Sequence, residues 1–120
     1  MANYVDGFVI TIPKKNLKAY FKMAQQGGEV WKEHGALQYF ETVGDDLNIN
    51  PGLPFPKLTK AKPSETIIFS WITYKSKAHR NAVNKKVMQD PRLSQMCDPK
   101  KMPFKMERMS YGGFKIVVEF

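Results

Sequence analysis

Residues 65–74 read Glu-Thr-Ile-Ile-Phe-Ser-Trp-Ile-Thr-Tyr, and this stretch decides the fold. Its β-branched and aromatic residues are typical of a β-strand. Successive side chains of a strand point to opposite faces of its sheet. One face then carries Ile67, Phe69 and Trp71, and the other carries Ile68, Ile72 and Tyr74. The strand is apolar on both sides, which indicates a sheet buried on both faces.

Five further elements are indicated by residue pattern. The sequence predicts strands over 4–12, 36–43 and 107–120, and amphipathic helices over 14–34 and between Ser76 and Asp90. Proline-containing segments at 44–64 and 91–106 are predicted to be irregular, and a loop as long as 44–64 is often functional. The β-α-β-β-α-β order predicts an α+β, ferredoxin-like fold, in which two helices lie on one face of a four-stranded antiparallel sheet. Residues 1–120 are expected to form a single domain.

The second face of this sheet needs a cover, because the two helices can shelter only one. The first strand is also apolar on both sides, with Phe8 and Ile10 on one and Val5 and Val9 on the other. Each large apolar side chain left in water forgoes ~1.5–3 kcal/mol. We therefore expect a second copy of the chain to cover the face, giving a homodimer through the sheet faces.

The charge balance is basic, with 19 Lys and Arg against 11 Asp and Glu, for a net charge of +8. Such an excess can indicate nucleic-acid or acidic partners. However, only Arg80, Arg92 and Arg108 are arginines, and the lysines form no block. Because arginine is favoured for bidentate phosphate and base recognition, the composition favours a solvated basic surface, and nucleic-acid binding is not expected.

The cellular location is predicted from what the sequence lacks. Its first seven residues show no basic region of a signal peptide, and no stretch approaches the ~20 apolar residues of a membrane span. The single cysteine, Cys97, cannot form an internal disulfide, which suits a reducing compartment. We expect a cytoplasmic protein that does not enter the membrane.

Several runs resemble a known family. They are Tyr-Val-Asp-Gly-Phe-Val at 4–9, Glu-His-Gly-Ala-Leu at 33–37, Gly-Asp-Asp at 44–46, Phe-Ser-Trp-Ile at 69–72, the run from Tyr74 to Arg92, Met-Pro-Phe at 102–104 and Arg-Met-Ser-Tyr-Gly-Gly-Phe at 108–114. Together they resemble the bacterial YbaA-like family, a domain of unknown function. The resemblance implies the dimeric α/β-barrel superfamily, in which two ferredoxin-like sheets pack face to face. It transfers a fold and no activity.

A first candidate site combines Asp6, a carboxylate in the apolar first strand, with Arg108 of the last strand. These strands are neighbours in the ferredoxin-like order, and the Gly112-Gly113 pair leaves space above the sheet that a ligand could fill. The alternative is that Asp6 and Arg108 form a structural ion pair near the end of the sheet.

A second candidate site combines Trp71, His79 and Arg80. The superfamily that the resemblance implies includes cofactor-independent and haem-degrading monooxygenases, some of which use a tryptophan and a histidine between the sheet and the second helix. His79 follows Ser76 in the first helical turn, where the helix dipole disfavours imidazolium, and a neutral imidazole can act as a base or a ligand. The alternative is that both are ordinary core residues. The candidate pocket thus comprises Asp6, Trp71, His79, Arg80 and Arg108.

The sequence favours a class of function without naming a reaction. It contains no phosphate loop, nucleophile elbow, dinucleotide fingerprint or metal-ligand spacing, so we expect neither cofactor nor metal. We expect small-molecule binding or cofactor-independent enzyme activity in a sheet/helix pocket of a homodimer, beneath the 44–64 loop. One alternative is an RNA-binding module, because residues 111–120 resemble the glycine-aromatic strand of RNA-recognition motifs, although that motif lies on their third strand. Another is a structural dimer without a ligand.

Overall fold

The molecule is a four-stranded antiparallel sheet with its two long helices on one face. In the computed structural model, which describes residues 2–120, the strands are Tyr4–Pro13 (β1), Gln38–Val43 (β2), Glu65–Tyr74 (β3) and Met109–Lys115 (β4). The helices are Leu17–Glu33 (α1), Phe55–Leu58 (α2), Lys77–Met88 (α3) and Pro91–Met96 (α4), with 3-10 turns at Lys14–Asn16 and Met106–Arg108. The strand order β2-β3-β1-β4 confirms the predicted ferredoxin-like fold.

Local chemistry sets the ends of the helices. The Ser76 hydroxyl accepts a hydrogen bond from the His79 backbone N–H at 3.0 Å and thereby caps the start of α3. The Asp90 carboxylate caps α4 in the same way, accepting from the Arg92 backbone N–H at 2.9 Å. Gly35 follows α1 with φ at 113°, a left-handed conformation that glycine adopts without strain.

The structure corrects three predictions: two segments predicted to be irregular contain short helices, and the last strand is shorter than predicted. Residues 91–106 are not irregular throughout, because Pro91 opens α4, where its missing N–H costs no helical hydrogen bond. The 44–64 loop contains the short helix α2. β4 begins at Met109 and ends at Lys115, because β1 begins at Tyr4, directly opposite Lys115. One further hydrogen bond joins Ile116 N to Asn3 O at 3.0 Å.

The helix-covered face holds the core. Its two clusters of buried side chains comprise Tyr4, Val30, Ala36, Ile72, Tyr74, Val83 and Val87, and Ile10, Ile12, Tyr20, Ala24, Ile68 and Phe104. The Gly27-Gly28 pair lets α1 approach β2 closely, because a Cβ on either glycine would lie 3.0 Å from the Tyr39 side chain. The apolar side chains on this face of the strands therefore pack against α1 and α3.

We call the opposite side of the sheet the open face. It is apolar, and its rings are accessible: Phe40 is 44% exposed, Phe69 45% and Phe114 60%. Phe40 stacks on Trp71 with ring centroids 5.0 Å apart. At one end, Phe55 of the 44–64 loop packs on Phe69 with centroids 6.3 Å apart. The second apolar face predicted from the alternation is thus present, and α1 and α3 leave it uncovered.

Candidate functional site

A buried ion pair joins the sheet to α3. Asp6, on the helix-covered side of β1, is only 3% exposed. The Arg80 Nη1 donates to Asp6 Oδ1 at 3.0 Å, and the Arg80 Nη2 donates to the Tyr4 hydroxyl at 3.3 Å. The guanidinium also lies over the Tyr4 ring, 5.1 Å from its centroid. The Ser76 cap starts α3 so that Arg80, in its first turn, reaches back over β1.

Asn84 extends this pair into a network and was not among the predicted residues. Its Oδ1 accepts hydrogen bonds from Trp31 Nε1 at 3.2 Å and from the Tyr74 hydroxyl at 3.3 Å. Asn84 also lies close enough to Asp6 to lower the pKa of that carboxyl. Its spacing of four residues from Arg80, on the same face of a helix, was a usable signal in the sequence.

Burial controls the electrostatics of the network. Desolvation raises the pKa of Asp6 above its ordinary value of 3.8, although the Arg80 charge and hydrogen bonds from Asn84 and Arg80 act in the opposite direction. Burial, and next the negative charge of Asp6, raise the pKa of Tyr74, which keeps its phenol a donor. The Arg80 Nε is buried without a hydrogen-bond partner among residues 2–120. The pair is tightly held but not fully satisfied.

Arg108 lies away from the Asp6–Arg80 pair and binds the end of the 44–64 loop. Its Nη2 donates to Glu65 Oε1 at 2.8 Å, and its Nη1 donates to the Thr59 carbonyl at 3.1 Å. The Lys62 backbone N–H and the Arg108 guanidinium hold the pKa of Glu65 below its usual range. Asp6 therefore pairs with Arg80 rather than with Arg108, and Arg108 ties the 44–64 loop to the start of β4.

Trp71 and His79 lie on opposite sides of the sheet. Trp71 points to the open face, where it stacks on Phe40. His79 stands at the start of α3, where its Nδ1 accepts the Lys75 backbone N–H at 3.0 Å and its ring meets Tyr74 edge-on at 5.9 Å. Of the five candidate residues, the structure brings together only Asp6 and Arg80.

A cavity of about 320 Å³ lies between the 44–64 loop and the open face. It is lined by Thr42, Val43, Gly44, Asp45, Leu47, Phe55, Ile67 and Phe69. Leu47 packs directly over Gly44, where a Cβ would lie 2.4 Å from Leu47 Cδ1. The Thr42 hydroxyl is engaged by the Phe69 carbonyl. The lining is thus largely apolar, with Asp45 at its edge, and it contains none of the five candidate residues.

A wider groove of about 810 Å³ runs between α1 and the edge strand β2. On its floor, the Glu41 carboxylate accepts hydrogen bonds from the hydroxyls of Tyr20 at 2.7 Å and Tyr39 at 2.8 Å. Burial, followed by the Glu41 charge, raises the pKa of both phenols. The groove is open to solvent along its length, and its carboxylate is already bound by two donors.

Two further classes of site find no support in the part of the chain that the structure describes. Residues 2–120 contain no group of three or more His, Cys, Asp or Glu side chains arranged to hold a metal ion. Within the same range, every helix is too short or too polar to cross a lipid bilayer.

Known structures share this fold. A dimeric ferredoxin-like protein from an uncultured marine organism superposes with a TM-score of 0.58 at 12% identity, over 98% of this chain and 99% of that one. An uncharacterized NIPSNAP domain protein from Burkholderia xenovorans gives 0.56 at 14% identity, over 92% and 91%. At these identities the likeness shows the fold alone.

Sequence comparison establishes the family. The chain is 40% identical over 116 residues to the "Uncharacterized protein YbaA" of Escherichia coli K12, covering 97% of each, which confirms the resemblance found in the sequence. A family model described as "Protein of unknown function (DUF1428)" matches residues 3–106. This chain therefore belongs to the DUF1428 family.

Proposed function

We propose that this protein is a homodimer that binds a small, largely apolar molecule between the 44–64 loop and the open face of the sheet. The observation that carries the proposal is the cavity beneath that loop, with its lining of Val43, Leu47, Phe55, Ile67 and Phe69. Its volume of about 320 Å³ falls at the lower end of the range of ligand pockets.

The lining favours one class of ligand. Aromatic and aliphatic side chains dominate, and the Thr42 hydroxyl is already engaged by a backbone carbonyl. Asp45 is exposed at the edge, where its carboxylate can accept a hydrogen bond. A compact aromatic or branched aliphatic molecule with one hydrogen-bond donor fits these groups.

The homodimer is supported by the open face itself. Phe40, Phe69 and Phe114, all on this face, are each 44–60% exposed. Soluble monomers rarely leave such a surface bare. Two proteins of similar fold are described as dimeric ferredoxin-like proteins. A second copy covering this face would also shield the loop cavity from solvent.

Binding is favoured over catalysis by the Asp6–Arg80 pair. That pair lies on the helix-covered side of β1, so the sheet separates it from the loop cavity. General acid–base catalysis requires the catalytic group within hydrogen-bond reach of the substrate. A ligand in the cavity is beyond the reach of Asp6, and we assign the pair to the stability of the fold.

The RNA-binding alternative lacks its electrostatic component. Among the strand positions of the open face, all of which the structure describes, none is Lys or Arg, and Glu65 is acidic. Single-stranded nucleic acid needs basic groups beside its aromatic platform.

A cytoplasmic location remains part of the proposal, supported by the single cysteine.

Thermal shift tests the binding proposal. The wild-type protein is heated with a panel of small aromatic and branched aliphatic compounds, and we expect a saturable rise in Tm with at least one. Leu47→Lys places a charge in the cavity and should abolish that rise. Leu53→Lys is the matched control, because Leu53 belongs to the same loop, is 65% exposed and does not line the cavity.

Two outcomes count against binding at this cavity. One is a panel in which no compound raises the Tm of the wild-type protein. The other is a Leu47→Lys variant that responds to the active compound as strongly as Leu53→Lys does. Sedimentation of the wild-type protein tests the homodimer separately.

A further inference from the structure

The carboxylate of Glu41 differs from the other carboxylates that are withdrawn from solvent. The side chains of Asp6, Asp90 and Glu65 are between 4% and 13% exposed, and each forms an ion pair with an arginine. Glu41 is also partly buried, but among residues 2–120 no Lys, Arg or His lies within ion-pair distance of it. Carboxylates withdrawn from water are normally paired with a cation. The chain has 19 Lys and Arg, so a shortage of cations does not explain the absence.

Two phenols hold the Glu41 carboxylate in place. The Tyr20 hydroxyl donates to Oε1 at 2.7 Å, and the Tyr39 hydroxyl donates to Oε2 at 2.8 Å. An ionised carboxylate has about four acceptor positions, so each oxygen keeps one free after accepting a phenol. Burial and the charge of Glu41 raise the pKa of both phenols, which therefore stay protonated and leave the negative charge on Glu41. The carboxylate is oriented but not neutralised.

Glu41 lines the groove between α1 and β2. The α1 wall is one stripe of residues at helical spacing: Phe21, Ala24, Gln25, Gly28, Glu29 and Lys32. The β2 wall is formed by residues 37–41. Ala24 and Gly28 lie one turn apart, and their small size gives the groove its depth. Its volume of about 810 Å³ lies within the range of ligand pockets.

The two ends of the groove differ in charge. α1 and β2 run in opposite directions, because Tyr20 reaches Glu41 whereas the Lys32 Nζ donates to the Leu37 carbonyl at 2.7 Å. Glu41 therefore lies at the Phe21 end of the groove. Lys32 is the only Lys or Arg among the described residues that line the groove, and it lies at the other end. The Glu41 end is thus negative, although the chain as a whole carries a net charge of +8.

The negative end of the groove is also aromatic. Phe21 is 39% exposed and meets the Tyr20 ring edge-on, with centroids 6.0 Å apart. Phe40, which is 44% exposed, and Tyr39 belong to the opposite wall beside Glu41. The face of an aromatic ring attracts cations and also packs against apolar groups. A negative charge without a cation and accessible aromatic rings together favour a ligand that is both cationic and apolar.

We propose that this groove binds an organic cation, a primary ammonium or guanidinium group on an apolar body, with the charged group at Glu41 and the body over Ala24 and Gly28. The N–H groups of such a ligand fill the free acceptor positions of the carboxylate. An anionic ligand would face both Glu41 and Glu29. The groove shares no lining residue with the loop cavity, so binding here does not depend on the proposed function.

Three probes with the same apolar body test the charge preference. Phenylbutylamine, phenylbutanol and phenylbutyrate differ only in their end group, which is cationic, neutral or anionic at neutral pH. Isothermal titration calorimetry of the wild-type protein at low salt should show saturable binding of the amine. We expect the alcohol and the acid to bind more weakly by about tenfold or more. Added salt should weaken the binding of the amine, because it screens the attraction to Glu41.

Two matched lysine variants test the location. Gln25→Lys adds an ammonium group inside the groove, where it competes with the ligand for Glu41, and it should abolish binding of phenylbutylamine. Gln26→Lys is the control, because Gln26 is the next residue of α1, is equally exposed and does not line this groove. It should bind the amine as wild type does. Glu41→Gln keeps the size of the side chain and removes its charge, and it should weaken binding by about tenfold or more while circular dichroism shows a folded protein.

Several outcomes overturn this assignment. One is a wild-type protein that binds none of the three probes, or that binds phenylbutyrate as tightly as the amine. Another is Gln25→Lys binding the amine as tightly as Gln26→Lys does, and this pair decides if Glu41→Gln does not fold. If Leu47→Lys abolishes binding of the amine and Gln25→Lys does not, the amine occupies the loop cavity. That result overturns the groove as its site and supports the proposed function, whereas a failed panel at the loop cavity leaves the groove standing.

Discussion

The two faces of this sheet are made by the same four strands and bury their residues in different ways. The helix-covered face is filled from within the chain by α1 and α3, and it encloses the Asp6–Arg80 pair. The open face is apolar but left bare, apart from the end beneath the 44–64 loop. One face serves the stability of the protomer, and we propose that the other serves association and binding.

This difference bears on how candidate residues are weighed. A buried carboxylate with a raised pKa is often a mark of an active site, but structural ion pairs produce the same signature. Here the carboxylate of Asp6 lies among core side chains, and the loop cavity lies across the sheet. We therefore give the position of Asp6 relative to the cavity more weight than its raised pKa.

The largest expected effect is on the helix-covered face. Arg80→Met leaves the Asp6 carboxylate buried without its cation, and breaking a buried pair in this way costs about 3–5 kcal/mol of unfolding free energy. Denaturant unfolding at fixed protein concentration measures the loss. The control is Arg92→Met, which breaks ion pairs with Glu33 and Asp90 at the surface and should cost much less.

The double variant Asp6→Leu with Arg80→Met sharpens this test. Replacing both partners by apolar side chains leaves no buried charge, so most of the lost stability should return. A double variant that is less stable than Arg80→Met alone would contradict the account of Asp6 as an unpaired charge. It would indicate instead that the carboxylate stabilises the network through Asn84.

A smaller effect on stability is expected at two adjacent glycines, Gly112 and Gly113, which lie on opposite faces of the sheet. A Cβ on Gly113 would lie 2.3 Å from the Tyr4 hydroxyl oxygen, within the packed face, whereas a Cβ on Gly112 has no neighbour closer than 3.9 Å. Gly113→Ala should therefore destabilise the protein by about 1–3 kcal/mol, as overpacking does. Thermal unfolding at several protein concentrations provides the measurement.

The concentration dependence distinguishes the two glycines further. Strain at Gly113 acts within the protomer, so the fall in Tm should be similar at every protein concentration. Any effect of Gly112→Ala acts through association, so it should vary with concentration. Equal and concentration-independent losses for both variants would show that the two faces are packed alike.

The sequence predicted the elements whose pattern is local. The alternation in residues 65–74 predicted both β3 and the second apolar face, and Ser76 correctly marked the start of α3. The end of β4 was missed because it depends on where β1 begins, which is a property of pairing and not of residues 116–120 themselves. α4 was missed because three prolines suggested an irregular segment, although Pro91 suits the first turn of a helix.

The candidate site was harder to predict than the fold. Strand alternation alone would have placed Asp6 and Trp71 on opposite faces once β1 and β3 were aligned, but the register is set by side-chain packing across the sheet. Arg80 was among the candidate residues, but its partnership with Asp6 depends on where α3 crosses the sheet and was not predicted. The residues that line the cavity come from β2, β3 and the 44–64 loop. No periodic pattern in the sequence predicts how closely that loop approaches the strands.

The smallest expected effect is a pH dependence of stability that has opposite signs for Asp6 and Asp90. Burial raises the pKa of Asp6 above the ordinary 3.8, so the folded state binds this proton more tightly than the unfolded chain does. The contribution of Asp6 to the unfolding free energy should therefore fall as the pH rises from about 3.8 towards the folded pKa. For Asp90, hydrogen bonds from Arg92 and His34 lower the pKa, so its contribution is present above about 3.8 and is lost as the pH falls.

Denaturant titrations of the wild-type protein, Asp6→Asn and Asp90→Asn between about pH 3 and 6 isolate these contributions, because each variant lacks one titrating carboxyl. The wild-type stability minus that of Asp6→Asn should decrease with rising pH, whereas the difference from Asp90→Asn should increase. A difference for Asp6→Asn that does not change with pH would mean that Asp6 is solvated or that Arg80 fully compensates its burial. A difference that rises with pH, as for Asp90, would mean that the Arg80 charge and the hydrogen bonds outweigh desolvation. Either result would contradict the account in which burial dominates the titration of Asp6.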